Sequence, residues 1–150
     1  MRLLMWLVSL PGEPYVLPVF VLGTILWLSF GKQSLKGVWF GVANATAFLL
    51  TQIIKNATSV SRPLGAYEMG YSFPSGHVVQ YVVAFGLLYH WKIARPLCVL
   101  MVSLVGISRI YLGAHWISDV VMGYVFGFGL LRVIVRIEKK WLFPRSASRK

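Results

Sequence analysis

From Pro14 to Phe30, and again from Val38 to Ile54, the chain runs for seventeen residues without a charged side chain. Backbone that enters hydrocarbon must satisfy its own hydrogen bonds, and a helix of roughly 17–25 apolar residues does so across a bilayer. Three more apolar runs follow: His77–Trp91, Pro96–Ser108, and Ile117–Leu131, which only Asp119 interrupts. The middle two reach spanning length by borrowing flanking residues such as Ile93 and Ile110. Charged residues are 13% of the chain and apolar ones 57%, against about 25% charged in an ordinary soluble domain. The fold expected is all-α: a polytopic transmembrane bundle of about five spanning helices. Met1–Leu10 is too short to span and reads as a short N-terminal interfacial segment. A single membrane-embedded domain covers 1–150, with its core at 14–137 and a basic tail at 138–150. No small-residue cleavage site precedes Pro11, so no cleavable signal peptide is expected.

The net charge of +11 could suggest nucleic acid. Its distribution argues otherwise. Five spans put Lys32, Lys36, Lys92, Arg95, Arg132, Arg136, Lys139, Lys140, Arg145, Arg149 and Lys150 on one side, with only Glu138 against them. The other side holds Arg2, Lys55, Arg62 and Arg109 against Glu13, Glu68 and Asp119. By the positive-inside rule, the tail is cytoplasmic and the long loop Lys55–Ser75 lies outside. The expected contacts of the tail are membrane lipids, and no nucleic-acid partner is expected. The sequence specifies no oligomeric state.

Several features read as packing. Cys98 lies inside an apolar run and, as the only cysteine, excludes an intrachain disulfide. Gly37/Gly41 and Gly123/Gly127 have the four-residue spacing that lets helices approach closely. Trp27, Trp39, Trp91, Trp116 and Trp141 fall near run ends, as interfacial anchors do. Asn44, Thr51 and Gln52 share a face with Lys55 and suit interhelical hydrogen bonds. Lys55 alone fits a snorkelling helix end. His90 lies at the opposite membrane face, without a role.

Chemistry concentrates in Ser108–Asp119. His115 and Asp119 are four residues apart. If the chain is helical from Ala114, they share one face. The carboxylate can then fix the imidazole tautomer and leave the other nitrogen as a nucleophile. Arg109 adds a permanent, forked cation suited to phosphate oxygens. Taken alone, the pair fits equally well a capping aspartate beside an interfacial histidine. Pro74-Ser75-Gly76-His77 opens the third run: Ser75 is a good N-cap, and glycine lets a ligand reach the first amides, which form an anion site. His77 sits in that first turn. Lys55 and Arg62 flank the start of the same loop, where Glu68 and Tyr67 could shape substrate access. The hairpin of the third and fourth runs returns the chain to one face, so these groups converge there. Only three acids face that side, which does not resemble a two-metal carboxylate site; no metal and no cofactor are expected.

Lys55, then after six residues Arg62-Pro63, then Pro74-Ser75-Gly76-His77, then Ser108-Arg109 with His115 and Asp119, resembles the three-part signature of the type 2 phosphatidic acid phosphatase superfamily. The resemblance covers Lys55 to Asp119 in the family's order and spacing. It implies that His115 is the nucleophile of a phosphohistidine, oriented by Asp119, and that His77 is the general acid. Lys55, Arg62, Arg109, Ser75 and the Gly76 amide would hold the phosphate. These roles need His115 neutral and His77 cationic. Membrane members usually have six spans; the one not found here is N-terminal, far from the motifs. The implied activity is metal-independent hydrolysis of a lipid phosphate or diphosphate at the outer face of a bacterial plasma membrane. Undecaprenyl diphosphate, phosphatidylglycerophosphate and phosphatidate fit alike, and small size favours the cell-wall carrier. The competing readings are a phosphotransferase using the same phosphohistidine and a non-catalytic anion- or lipid-headgroup-binding membrane protein.

Overall fold

The computed structural model describes residues 1–10, 17–30, 34–66, 68–89 and 92–142. Six α-helices carry them: α1 (Arg2–Ser9), α2 (Leu17–Phe30), α3 (Ser34–Thr58), α4 (Gly76–Leu88), α5 (Arg95–Tyr111) and α6 (Ile117–Ile137). A 3-10 turn at Lys92–Ala94 leads into α5, and a π-helical turn at Glu138–Leu142 follows α6. The five expected apolar helices are α2 to α6. Three of them, α3, α5 with its 3-10 turn, and α6 with the start of its π turn, are long and apolar enough to cross a membrane. The other two, α2 and α4, are apolar but shorter. His90, Trp91 and residues 143–150 lie outside the described residues, as do 11–16, 31–33 and Tyr67.

The centre of the bundle is α4. Every residue from His77 to Phe85 is buried. Val78, Val82, Tyr81 and Phe85 pack with Cys98, Val105 and Val120 from α5 and α6. Val79 and Val83 pack on the opposite side with Ala43 and Ala47 of α3 and Ile134 of α6. Among lipid tails, water drives little of this association, so close packing must. The glycine pairs supply it. A Cβ on Gly123 would lie 3.0 Å from Val78 Cβ and 3.1 Å from the Ser75 carbonyl, and one on Gly127 would lie 3.0 Å from Val82 Cβ. On α3, Gly37 and Gly41 take the same part against Ile25 of α2. Cys98 is a free, buried core side chain, as expected.

Two packing expectations need correction. Trp39 turns inward among the α3, α4 and α6 side chains, with its ring nitrogen buried, so it is not an interfacial anchor. Gln52 is only half-buried, while Asn44, Thr51 and Lys55 form the buried stripe. The side-chain donors of Asn44 and Thr51 bond to Phe40 and Ala47, one turn back on α3, rather than across helices. The interhelical bond comes from Gln80 of α4, which donates to the Asn44 carbonyl at 3.3 Å.

The helix α1 packs beside α5, and the Tyr81 hydroxyl of α4 donates to the Val8 carbonyl. On the same side of the bundle, α5 is tied to α6 through Tyr124. Its hydroxyl donates to the Val102 carbonyl at 2.7 Å and accepts from the Gly106 amide at 3.2 Å. That hydroxyl sits so close to α5 that a Cβ on Gly106 would fall 2.6 Å from it.

Candidate active site

Antiparallel α3 and α4, then α5 and α6, bring four helix ends to one side of the bundle: the end of α3, the start of α4, the end of α5 and the start of α6. The residues expected at the site are all there. Lys36, Lys92, Arg95, Arg132, Arg136, Lys139 and Lys140 sit at or near the other helix ends.

The two histidine motifs are stapled by backbone. The Ser75 amide donates to the Asp119 carbonyl at 3.0 Å, joining the first residue before α4 to the first turn of α6. Gly123, one turn deeper in α6, leaves the room that this seat requires. Ser75 is the α4 N-cap by position, but its hydroxyl makes no capping bond. It is buried and has no hydrogen-bond partner among the described residues. A buried hydroxyl at a helix start, where the first amides have no acceptor within the helix, is suited to an incoming anion. A Cβ on Gly76 would meet Thr51 and Lys55 at 3.6 and 3.8 Å, ordinary contact distances. Packing therefore does not demand glycine there.

The His115–Asp119 pair forms differently from the expected helical face. The α6 helix starts at Ile117, so His115 lies before it, and extended Trp116 is the N-cap. The Asp119 carboxylate folds back over the helix start. Its Oδ2 accepts the Trp116 amide at 2.9 Å and lies 3.3 Å from His115 Nδ1. The carboxylate thus caps the helix and contacts the imidazole at once. With Nδ1 protonated toward Asp119, Nε2 carries the lone pair. Burial drives the His115 pKa far down from 6.5, to about 2, and Arg62, Lys55, Arg109 and His77 push it the same way, in that order. The ring is therefore neutral at ordinary pH, as a nitrogen nucleophile must be.

Arg62 faces that lone pair. Its Nη1 is 3.3 Å from His115 Nε2 and donates to the Ala114 carbonyl at 2.8 Å, while its Nε donates to the Gly70 carbonyl at 3.2 Å. Arg109 lies in the last turn of α5, which continues to Tyr111. Arg109 is completely buried. Lys55 Nζ donates to the Tyr71 and Ser72 carbonyls at 2.6 and 3.2 Å, tying α3 to the loop. His77 is buried in the first turn of α4.

Three residues make contacts that the sequence did not foretell, although Glu68 was expected near substrate access and Trp116 at the interface. Glu68 Oε2 pairs with Arg62 Nη1 at 2.7 Å, and its Oε1 pairs with Arg109. The Trp116 indole donates to the Ser61 carbonyl at 2.9 Å, holding the loop against the α6 start. Tyr124 anchors α5 just before Arg109. Only Glu68 carried a signal: it is the one acid between Lys55 and Asp119. Among the described residues, no group of three or more His, Cys, Asp or Glu is arranged to hold a metal ion.

Residues 36–143 match the PAP2 superfamily. The chain belongs to the PAP2 superfamily. It is 30% identical over 140 residues to a phosphatidylglycerophosphatase B of Bacillus subtilis, covering 81% of this chain and 69% of that protein. To an undecaprenyl-diphosphatase of Sulfolobus acidocaldarius it is 31% identical, covering 90% of this chain and 69% of that one. A lipid A 1-phosphatase of Rhizobium etli is 32% identical over 74% of this chain and 56% of its own length. The fold matches a crystal structure of a transmembrane PAP2-type phosphatidylglycerolphosphate phosphatase from Bacillus subtilis, with a TM-score of 0.84 at 24% identity, over 96% of this chain and 79% of that one. This PAP2 protein is an integral membrane phosphatase, and the stretch matched to the family includes the cluster of buried cations, histidines and helix starts described above.

Proposed function

We propose that this lipid phosphatase hydrolyses a lipid phosphate or diphosphate through a phosphohistidine on His115, without metal or cofactor. Supporting this above all is the buried His115 ring. It is neutral, oriented by Asp119 through Nδ1, and surrounded by Arg62, Arg109 and the start of α4. In the first step Nε2 attacks phosphorus, the phosphorus–oxygen bond to the lipid breaks, and His77 protonates the departing oxygen. In the second, water attacks phosphorus, His77 takes the water's proton, and the phosphorus–nitrogen bond breaks to release inorganic phosphate and restore His115. Lys55, Arg62, Arg109, Ser75 and the Gly76 amide are the proposed phosphate ligands, opposing the charge that builds on the oxygens.

The substrate class follows from the company the site keeps. Helices around it present apolar side chains where an acyl or prenyl chain can lie, and the relatives' names cover lipid monophosphates and a lipid diphosphate. Undecaprenyl diphosphate, phosphatidylglycerophosphate and phosphatidate are the candidates. Charge counting supports an extracytoplasmic site and a cytoplasmic C-terminus in a bacterial plasma membrane. The deciding experiment is phosphate release from these three lipids by the detergent-purified chain, with EDTA present and His115→Ala beside it. Release that vanishes with His115→Ala is expected. Release that survives the substitution would refute the phosphohistidine, and loss of release on adding EDTA would refute metal independence.

A further inference from the structure

Two enclosed guanidiniums beside each other need a counter-charge, because unpaired ions are costly away from water. The chain supplies one itself. Glu68 places one carboxylate oxygen on Arg62 and the other on Arg109, two cations contributed by different elements. A carboxylate bridging two arginines in this way stands where two oxygens of a phosphate would. The side chains are well enclosed: Arg109 is 0% exposed, Arg62 11% and Glu68 16%. Glu68 lies on a loop between two glycines. Gly65 and Gly70 flank it at φ of +80° and +84°, with open space around both. Leu64 and Met69 project almost wholly into the surroundings.

Taking Arg62 and Arg109 as phosphate ligands, as proposed above, we infer that Glu68 is a tethered competitor for the phosphate site. It occupies the two arginines when the site is empty, yields to an incoming phosphate, and on its return displaces inorganic phosphate after turnover. The physical basis is like-charge exclusion. A phosphate dianion and the Glu68 carboxylate cannot share two guanidiniums, so binding requires the glutamate to leave. The apparent dissociation constant of any phosphate is then its intrinsic value divided by the fraction of protein with Glu68 withdrawn. Because the competitor is tethered, its effective concentration is high. The penalty falls equally on substrate and product phosphate, but only the substrate carries a lipid chain whose burial offsets it. Glu68 therefore weakens retention of inorganic phosphate, the product with nothing else to hold it.

The test is calorimetric titration of the full chain in detergent with inorganic phosphate, at fixed ionic strength, for wild type, Glu68→Gln, Glu68→Asp and Arg109→Gln. Glu68→Gln keeps the shape and removes the charge; it is expected to bind phosphate at least tenfold tighter than wild type. Glu68→Asp keeps the charge on a stem too short to span both arginines, and should fall between the two. Arg109→Gln should bind weakest. Binding by Glu68→Gln equal to or weaker than wild type overturns the inference and makes Glu68 a structural counter-ion. Should Glu68→Gln not fold, Glu68→Asp decides in the same sense: tighter binding supports the competitor, and equal or weaker binding overturns it. Phosphate binding by none of the proteins also overturns it, while His115-dependent phosphate release separately tells whether the phosphatase reading stands.

Discussion

Arg62 Nη1 lies 3.3 Å from His115 Nε2 and, with the same nitrogen, holds the carbonyl of Ala114, the residue before that histidine. One guanidinium thus seats the turn that carries the proposed nucleophile and points a cation at its lone pair. After burial, Arg62 is the largest influence lowering the His115 pKa. Replacing it by glutamine should move the His115 titration upward, read from histidine ring resonances in micelles. The same change should lower kcat/KM by about 10- to 100-fold, the loss expected for one charge-assisted hydrogen bond.

Asp119→Asn separates the carboxylate's two duties. An asparagine oxygen can still accept the Trp116 amide, so the helix start survives. It cannot at the same time hold the Nδ1 proton with a full negative charge. Phosphate release should fall by about 10³–10⁴-fold, as when a triad carboxylate is neutralised. The melting temperature should change little.

His115 also links stability to pH. The folded chain keeps the ring neutral far below 6.5, whereas the unfolded chain protonates near that value. Below about 6.5 the unfolded state therefore binds the extra proton, and stability falls as pH drops. This group contributes a slope of up to about 1.4 kcal/mol per pH unit. Thermal melts in detergent between about pH 7 and pH 5 should show a shallower decline for His115→Gln than for wild type.

Tyr124→Phe removes the hydroxyl that joins α6 to Val102 and Gly106 of α5. The lost hydrogen bonds should cost about 1–3 kcal/mol of stability. Arg109 lies three residues beyond Gly106 and makes its ion pair from α5, so kcat/KM should also fall several-fold. Gly106→Ala should be as damaging by overpacking, since its Cβ would meet both Tyr124 and Val120 inside normal contact. Melts and lipid phosphate hydrolysis, measured on both variants, check the pair.

What the sequence revealed and what it hid divide along a physical line. The helices α2 to α6 were legible because hydrocarbon permits few charges, which leaves runs such as Val38–Ile54 clean. The family residues were legible because acids, histidines and arginines stand out between such runs. The local geometry of His115 was not, since only the position of Trp116 as N-cap decides whether Asp119 reaches it along a helix or around its start. Trp39 looked like an anchor because the end of a run and the interior of a bundle have the same composition. Glu68, Tyr124 and the Lys55 bonds to Tyr71 and Ser72 join residues far apart in the chain, and no periodicity encodes such meetings.

The helix α4 has thirteen residues where α3 has twenty-five. At about 1.5 Å per residue it is ~20 Å long, short of the ~30 Å hydrocarbon layer. It tolerates this because α3, α5 and α6 enclose it. Gly76, its first residue, lies level with Thr51 and Lys55 rather than with Thr58 at the end of α3. The proposed phosphate site is thus set back from the end of α3, and with the end of α3 at the membrane surface a lipid headgroup would dip below its neighbours to reach His115. How far it must dip depends on the thickness of the host bilayer. Acyl-chain length in the surrounding membrane becomes a control on turnover that acts without binding to the protein: across proteoliposomes of increasing thickness, the same enzyme should pass through an optimum.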